Sequence, residues 1–267
     1  MSARFLFLPS PISLAESSVG AISITHRYVD CADIVSEREA FTTGKRALRV
    51  KFDKPLRIHE LREEGRGVWM TDLPIELRQM WDDMRALQPS SKVLIGGLGL
   101  GIVATWAATH WPSVDRVDVA EINPEVAQLI SRKDSPYNVI VGDIMDLLRR
   151  RRWSWDCAYL DMWQGTGESA WWDEIFPLRR LIANRFGKQR VAFRAERMMW
   201  GQIIRHWTHP DEANFRLLGM NADWHPHWYY RTERPLSRGE TLWFLRNVGT
   251  VTWERKYGKL YEDKAAA

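Results

Sequence analysis

Cysteine is scarce in this sequence: only Cys31 and Cys157 occur among 267 residues. Two cysteines give no disulfide framework and lack the spacing of a zinc site, so we expect no bound metal. No apolar run reaches the roughly 20 residues that a transmembrane helix needs. The apolar stretch at residues 4–8 is interrupted by Pro9 and Pro11, so we expect a β-strand there rather than a secretory signal. These absences predict a soluble protein in a reducing, cytoplasmic setting.

Internal repeats, low-complexity linkers and a strong charge imbalance are also missing. The net charge is +4, and 45% of the residues are hydrophobic, which is enough to bury the core of one α/β domain with a small appendage. The main basic feature is the arginine run at residues 149–152, which follows a predicted short helix. Cations are favourable at a helix C-terminus. We therefore expect a solvated helix end, with a nucleic-acid face as the alternative.

Four short apolar strands are predicted between residues 91 and 161, and each ends in glycines or in a carboxylate. In a parallel sheet these ends lie along one edge, where open α/β folds bind ligands. The residues that follow the four strands are Gly97-x-Gly99-x-Gly101, Glu121, Asp143 and Asp161.

The glycine run and the acid after the second strand together indicate a nucleoside ligand. Glycines let the backbone turn tightly and let a ligand come close, although packing alone is the alternative explanation. Glu121, twenty residues after Gly101, can accept hydrogen bonds from both ribose hydroxyls, although a solvated strand-end acid is common. The two features are much less expected by chance together than apart.

The acids after the third and fourth strands suggest two further roles. Asp143 can accept a hydrogen bond from the exocyclic amine of adenine, or it can cap the next helix. Asp161 can accept a proton from an amine nucleophile, or it can be a structural acid that caps its loop. Trp163, two residues later, offers an aromatic face to a cationic substrate. We expect most of the other tryptophans, fifteen in all, in the core.

These motifs resemble those of class I S-adenosylmethionine-dependent methyltransferases, and more narrowly those of the spermidine synthase branch. The resemblance extends over roughly residues 57–161 and rests mainly on three segments. They are residues 65–80 before the glycine strand, residues 117–130 around Glu121 and residues 139–148 around Asp143.

The resemblance implies a Rossmann-like α/β sheet with helices on both faces, preceded by a small β-rich domain. We place the β-rich domain at residues 1–71 and the nucleoside-binding catalytic domain at residues 72–267. The implied cofactor is S-adenosylmethionine or its decarboxylated form, and the same resemblance suggests a homodimer. The implied cofactor-binding residues are Gly97, Leu98, Gly99, Gly101, Glu121, Ile122, Asp143 and Ile144; the implied catalytic residue is Asp161; the expected substrate-binding residues are Trp163 and Gln164.

Two departures from the branch pattern bear on the reaction. Aminopropyl-transferring members carry D-x-x-D-P after the fourth strand, where this chain has Asp161-Met162-Trp163-Gln164-Gly165. Gly99 stands where the branch has an acid that holds the far end of the cofactor. We therefore expect a methyltransferase that acts on a small acceptor, such as one that bears an amine. The alternatives are an aminopropyltransferase and a nucleoside-binding protein without turnover.

The remaining pattern predicts the elements on either side of the motifs. Strands are expected at residues 21–25, 47–52, 57–61 and 68–70, with a hairpin turn at residues 65–67. A helix is expected to begin near Asp72 and Pro74. Later in the chain we expect helices at residues 171–184 and 196–207, and strands at residues 190–193 and 241–245.

Overall fold

The computed structural model describes residues 9–36, 47–149, 154–163 and 191–196, together with Glu174, Ile175, Leu178, Ile182 and Met199. The predicted strands at residues 4–8 and 241–245 lie outside these residues, and so does most of the two late helices. Contacts divide the chain into two compact units, residues 1–164 with 190–195 and residues 165–189 with 196–267. Every element named in the following paragraphs belongs to the first unit.

The N-terminal part forms a four-stranded antiparallel sheet in the order β1-β2-β3-β4. The strands are β1 (Ser17–Val19), β2 (Ile22–Val35), β3 (Leu48–Glu63) and β4 (Gly67–Thr71). The hairpin predicted around residues 65–67 is present, but the two strands predicted at residues 47–52 and 57–61 form the single strand β3. The β2–β3 register jumps between the Val29–Leu56 and Cys31–Lys51 pairs. This irregularity accommodates Pro55, which has no N–H group to give to a ladder.

Helix α1 (Pro74–Leu87) follows the antiparallel sheet and begins where the sequence predicted. Proline at the first turn suits a helix start because its missing N–H is not needed there. The helix buries Leu77, Met80 and Met84. It ends at Gln88, whose left-handed backbone lets its N–H bond to the carbonyl of Met84.

The second sheet is parallel and five-stranded, in the order β7-β6-β5-β8-β9. This order, with helices between the first strands, confirms the predicted Rossmann-like α/β class. The strands are β5 (Ser91–Gly96), β6 (Val114–Glu121), β7 (Asn138–Val141), β8 (Cys157–Leu160) and β9 (Val191–Phe193). The helices are α2 (Ile102–His110), α3 (Pro124–Ile130) and α4 (Ile144–Arg149).

One apolar core joins the two sheets. It includes Ile22 and Leu61 from the antiparallel sheet, and Val93 and Val119 from the parallel sheet. The domain boundary at residues 71 and 72 remains a prediction. None of the helices in the described ranges has the length and apolar character needed to cross a bilayer.

Two buried acids brace this arrangement. Asp118, within β6, accepts hydrogen bonds from Arg116, Asn138 and the Trp155 indole. Asp72 accepts one from the backbone N–H of His59 and contacts the His59 ring at 2.7 Å. Burial alone would raise the pKa of each carboxyl, but the hydrogen bonds and positive charge outweigh it, so both pKa values lie below the usual range.

Candidate functional site

The glycine turn between β5 and α2 is shaped by its neighbours on both sides. Gly97 and Gly99 have φ values of +87° and +51°, a region that residues with a Cβ adopt at a cost. A Cβ on Gly97 would overlap the backbone carbonyl oxygen of Asp161, and one on Gly99 would overlap the Met70 sulfur. The turn is therefore packed against the end of β8 and against β4.

Most backbone N–H groups of this turn already have partners. Gly97 donates to the carbonyl of Ala120, and Gly101 donates to that of Leu98. Leu98 N–H donates to the Glu121 carboxylate at 2.8 Å, and Leu100 N–H meets the thioether sulfur of Met70 at 3.3 Å. Hydrogen bonds to β6, to Met70 and within the turn therefore use these N–H groups, which are not free to bind a ligand.

Glu121, the last residue of β6, is directed at the glycine turn. One carboxylate oxygen accepts from Leu98 N–H and the other from Asn123 N–H, each at 2.8 Å. The residue is only 7% exposed. A carboxylate has about four acceptor positions, so two remain for ligand hydroxyls.

Beside Glu121 the sheet edge presents apolar side chains to solvent. Ile122 and Val141 are 71% and 56% exposed, and Val141 is the β7 partner of Glu121. A Cβ on the neighbouring Gly142 would meet nothing within 4 Å. Exposed apolar groups next to open space and a strand-end acid suit one face of a planar base.

Asp143 lies at the same edge of the sheet, and its side chain caps the N-terminus of α4. One carboxylate oxygen accepts from Met145 N–H at 2.7 Å. This is the capping interaction that the sequence offered as the alternative, and the second oxygen can still serve a ligand. Ile144 is buried, and its Cδ1 lies where a Cβ on Gly96 would stand. The side chain of Leu98 is also buried in the core.

Asp161 follows β8 and is part of a charged set that we call the Glu76–Arg194–Asp161 triad. Its N–H donates to the Gly96 carbonyl, which ties the residue to the glycine turn. Its Oδ1 accepts from Arg194 Nη1 at 3.3 Å, and Arg194 Nη2 lies 3.5 Å from Glu76 Oε2. Arg194 follows β9, while Glu76 is in the first turn of α1.

The charges within the triad partly compensate each other. Burial raises the pKa of Asp161 above its usual value, although the charge and hydrogen bond of Arg194 oppose this. Burial likewise raises the pKa of Glu76 against the opposing charge of Arg194. The charge of Asp161, followed by that of Glu76, raises the pKa of Arg194 further, so the guanidinium stays protonated.

Two aromatic residues flank Asp161 in the chain. Trp163 is buried, and its ring is tilted on that of Phe193 with centroids 6.1 Å apart. Tyr159 is fully buried. Neither the Trp163 indole N–H nor the Tyr159 hydroxyl has a hydrogen-bond partner in the described part of the chain. Gln164 lies outside the described residues.

Four residues at this edge were not singled out from the sequence: Met70, Glu76, Val141 and Arg194. Val141 and Arg194 carry a readable signal, because both occupy the carboxyl end of a predicted parallel strand. Glu76 and Met70 reach the site through tertiary packing, for which the sequence has no local signal. Within the described residues, no group of three or more His, Cys, Asp or Glu side chains is arranged to hold a metal ion.

No protein-family model and no curated protein matches the chain. Among solved structures it is similar to human methyltransferase-like protein 13 in complex with SAH, with 19% identity over 44% of this chain and 57% of that one, at a TM-score of 0.27. It is also similar to the spermidine synthase of Thermotoga maritima, with 18% identity over 44% and 51%, at a TM-score of 0.26. A spermidine synthase in complex with the transition state analogue AdoDATO gives 18% identity over 49% and 53%, at a TM-score of 0.27. The chain spans about half the length of these three proteins.

Proposed function

We propose that the protein binds S-adenosylmethionine and transfers its methyl group to a small, amine-bearing acceptor. The observation that carries this proposal is the position of Glu121 against the glycine turn, with exposed Ile122 and Val141 beside it. A buried carboxylate suits the two hydroxyls of a ribose, and the apolar edge suits the attached base. Asp143 would then meet the amine of adenine.

The hydrogen bonding of the glycine turn favours a ligand without phosphates. Phosphate sites at such turns use several free backbone N–H groups that point at the anion. Here the N–H groups of Gly97, Leu98, Leu100 and Gly101 are engaged within the protein. A nucleoside joined to an amino acid through sulfur needs no such donors, so it fits this turn better than a dinucleotide does.

The chemistry assigned to Asp161 follows from its position and surroundings. When bound, the cofactor supplies an electrophilic methyl carbon on a sulfonium; the acceptor nitrogen bonds to that carbon while the carbon–sulfur bond breaks and its electrons stay on sulfur. The nitrogen must be neutral to attack, so a base must take its proton. Burial makes Asp161 a better proton acceptor than an exposed aspartate, and Arg194 limits this effect.

Methyl transfer is preferred over aminopropyl transfer because the chain departs from the D-x-x-D-P pattern after Asp161, where Gln164 and Gly165 replace the second acid and the proline. The branch acid at the position of Gly99 is also missing, and the Met70 sulfur lies against Gly99 instead. Both forms of the cofactor carry an ammonium at the far end, so the missing acid bears on affinity, whereas the changed pattern after Asp161 bears on the reaction. Aminopropyl transfer remains the second candidate, and nucleoside binding without turnover is the third.

Isothermal titration calorimetry with S-adenosylmethionine and with its decarboxylated form tests the proposal. We expect the wild-type protein to bind S-adenosylmethionine more tightly. Glu121→Gln should weaken that binding by about 1–3 kcal/mol, the usual cost of losing a charged hydrogen-bond partner. The matched control is Asp115→Asn, which changes an exposed acid on the same strand, β6, and should leave the affinity unchanged.

The proposal is wrong if folded wild-type protein binds neither nucleoside. Tighter binding of the decarboxylated form would favour aminopropyl transfer. Incubation with S-adenosylmethionine carrying a labelled methyl group and a panel of small amines would separate an enzyme from a binding protein, because only an enzyme moves the label.

A further inference from the structure

We propose that the Glu76–Arg194–Asp161 triad selects the cationic sulfonium form of the nucleoside over its neutral thioether product. This inference rests on the proposed function and adds Glu76 and Arg194 to the site. Two carboxylates and one guanidinium leave one surplus negative charge. That charge can be balanced by a single positive charge on a ligand.

The geometry makes the triad one unit rather than two separate ion pairs. Arg194 bridges the acids, with Nη1 on Asp161 at 3.3 Å and Nη2 near Glu76 at 3.5 Å. The side chains of Asp161 and Arg194 are 12% and 13% exposed, and that of Glu76 is 23% exposed. Charges so largely removed from water interact more strongly than charges on the surface.

The backbone around Arg194 is itself held in place from α1. Ala195 has a φ of +53°, a conformation that non-glycine residues seldom adopt. Its N–H donates to the carboxylate of Asp83 at 2.9 Å. Asp83 lies seven residues after Glu76, so both project from one face of α1. Helix α1 therefore supplies Glu76 to the guanidinium of Arg194 and Asp83 to the backbone N–H of the next residue, Ala195.

Buried polar atoms without hydrogen-bond partners are an independent indication that a ligand binds near the triad. Arg194 Nε, the Tyr159 hydroxyl and the Trp163 indole nitrogen are buried without a hydrogen-bond partner within the described ranges. Tyr159 lies within electrostatic reach of the triad, since burial and then the charge of Asp161 raise its pKa well above the usual value. Buried polar groups left without partners are costly in a protein. A bound ligand can supply the partners that they lack.

The triad lies close to where the reacting sulfur would sit. The carbonyl oxygen of Asp161 packs directly on Gly97 of the turn. Methyl transfer to an amine moves the positive charge from sulfur to nitrogen, so one cation is present before and after the reaction. The surplus charge of the triad favours the bound sulfonium until Asp161 takes the proton of the acceptor, after which the triad is neutral. It would release the neutral thioether nucleoside more readily than it releases the substrate.

The test compares S-adenosylmethionine with S-adenosylhomocysteine by isothermal titration calorimetry. These ligands share their nucleoside and amino-acid parts, so the ratio of their dissociation constants reports on the methyl sulfonium. Glu76→Gln keeps the shape of the side chain and removes the surplus charge. We expect it to reduce the preference for S-adenosylmethionine about three- to tenfold.

The matched control is Asp82→Asn on the same helix, where the acid pairs with Arg78 outside the triad; it should leave the ratio unchanged. An unchanged ratio in Glu76→Gln, with both nucleosides still bound, overturns the triad inference and leaves the proposed function standing. If the wild-type protein binds neither nucleoside, both fail.

The wild-type protein gives a check that does not depend on a folded variant. Among the described residues, the charged groups that interact with Asp161 are Glu76 from α1 and Arg194 after β9. The titratable Tyr159 from β8 lies near Asp161 and Asp83. Lowering the pH protonates the two triad acids and should reduce the preference for S-adenosylmethionine. A ratio that stays constant between about pH 8 and pH 4.5 would overturn the inference.

Discussion

Gly97 is a position where one added methyl group should lower the free energy of unfolding substantially. Its φ of +87° is unfavourable for alanine, and the new Cβ would overlap the backbone oxygen of Asp161. Backbone cannot rotate away as the end of a flexible side chain can. Gly65 offers a matched control, because its φ of +76° is similar but nothing lies within 4 Å of the added Cβ.

The difference between the two variants isolates the contact with Asp161. A left-handed backbone costs alanine about 1–2 kcal/mol, which is the whole effect expected for Gly65→Ala. Forcing a methyl group into a packed region adds about 1–3 kcal/mol, so Gly97→Ala should lose about 2–5 kcal/mol in total. Urea denaturation followed by tryptophan fluorescence measures the free energy of unfolding. Equal losses in the two variants would show that the turn is not packed on the end of β8.

Three further predictions concern the bracing of the fold. Asp118→Asn should lower the free energy of unfolding by about 1–3 kcal/mol, because three donors lose their charged acceptor; a change below about 0.5 kcal/mol would contradict this. Since the folded-state pKa of Asp118 is depressed, its contribution is present above the unfolded pKa of about 3.9 and is lost as the pH falls through the folded value. Urea titrations should therefore show the stability gap between wild type and Asp118→Asn closing below about pH 4, and a constant gap would refute the assignment. Glu125→Ala should lower the free energy of unfolding by about 1 kcal/mol, because its carboxylate accepts a hydrogen bond from Ala21 N–H at 3.0 Å. Glu64→Ala, at an exposed residue, is the control. Equal losses of stability in the two variants would show that the Glu125–Ala21 hydrogen bond does not stabilise the fold.

The parallel sheet could be predicted from the sequence because four of its strands are short, largely apolar and followed by glycines or by a carboxylate. Helix α1 begins at Pro74, close to the start that the sequence predicted. The antiparallel sheet was read less well. Two strands were predicted at residues 47–52 and 57–61, whereas a register jump carries the single strand β3 past Pro55. Register depends on partner strands, which local pattern cannot supply.

The candidate site was predictable where it depends on strand ends and unpredictable where it depends on packing. Glu121, Asp143 and Asp161 each follow a recognisable strand. The pairing of Asp161 with Arg194 brings together residues 33 positions apart, and Glu76 joins them only because α1 packs in the same unit. Such contacts follow from the tertiary arrangement rather than from spacing along the chain.

Met70 makes the two sheets interdependent. It belongs to the last antiparallel strand, yet its sulfur lies against Gly99 and Leu100 of the turn. Exchanging the first 71 residues for those of another protein would therefore remove the side chain that packs on the glycine turn. A shortened or grafted version of this chain must therefore keep Met70 together with the glycine turn that its sulfur contacts.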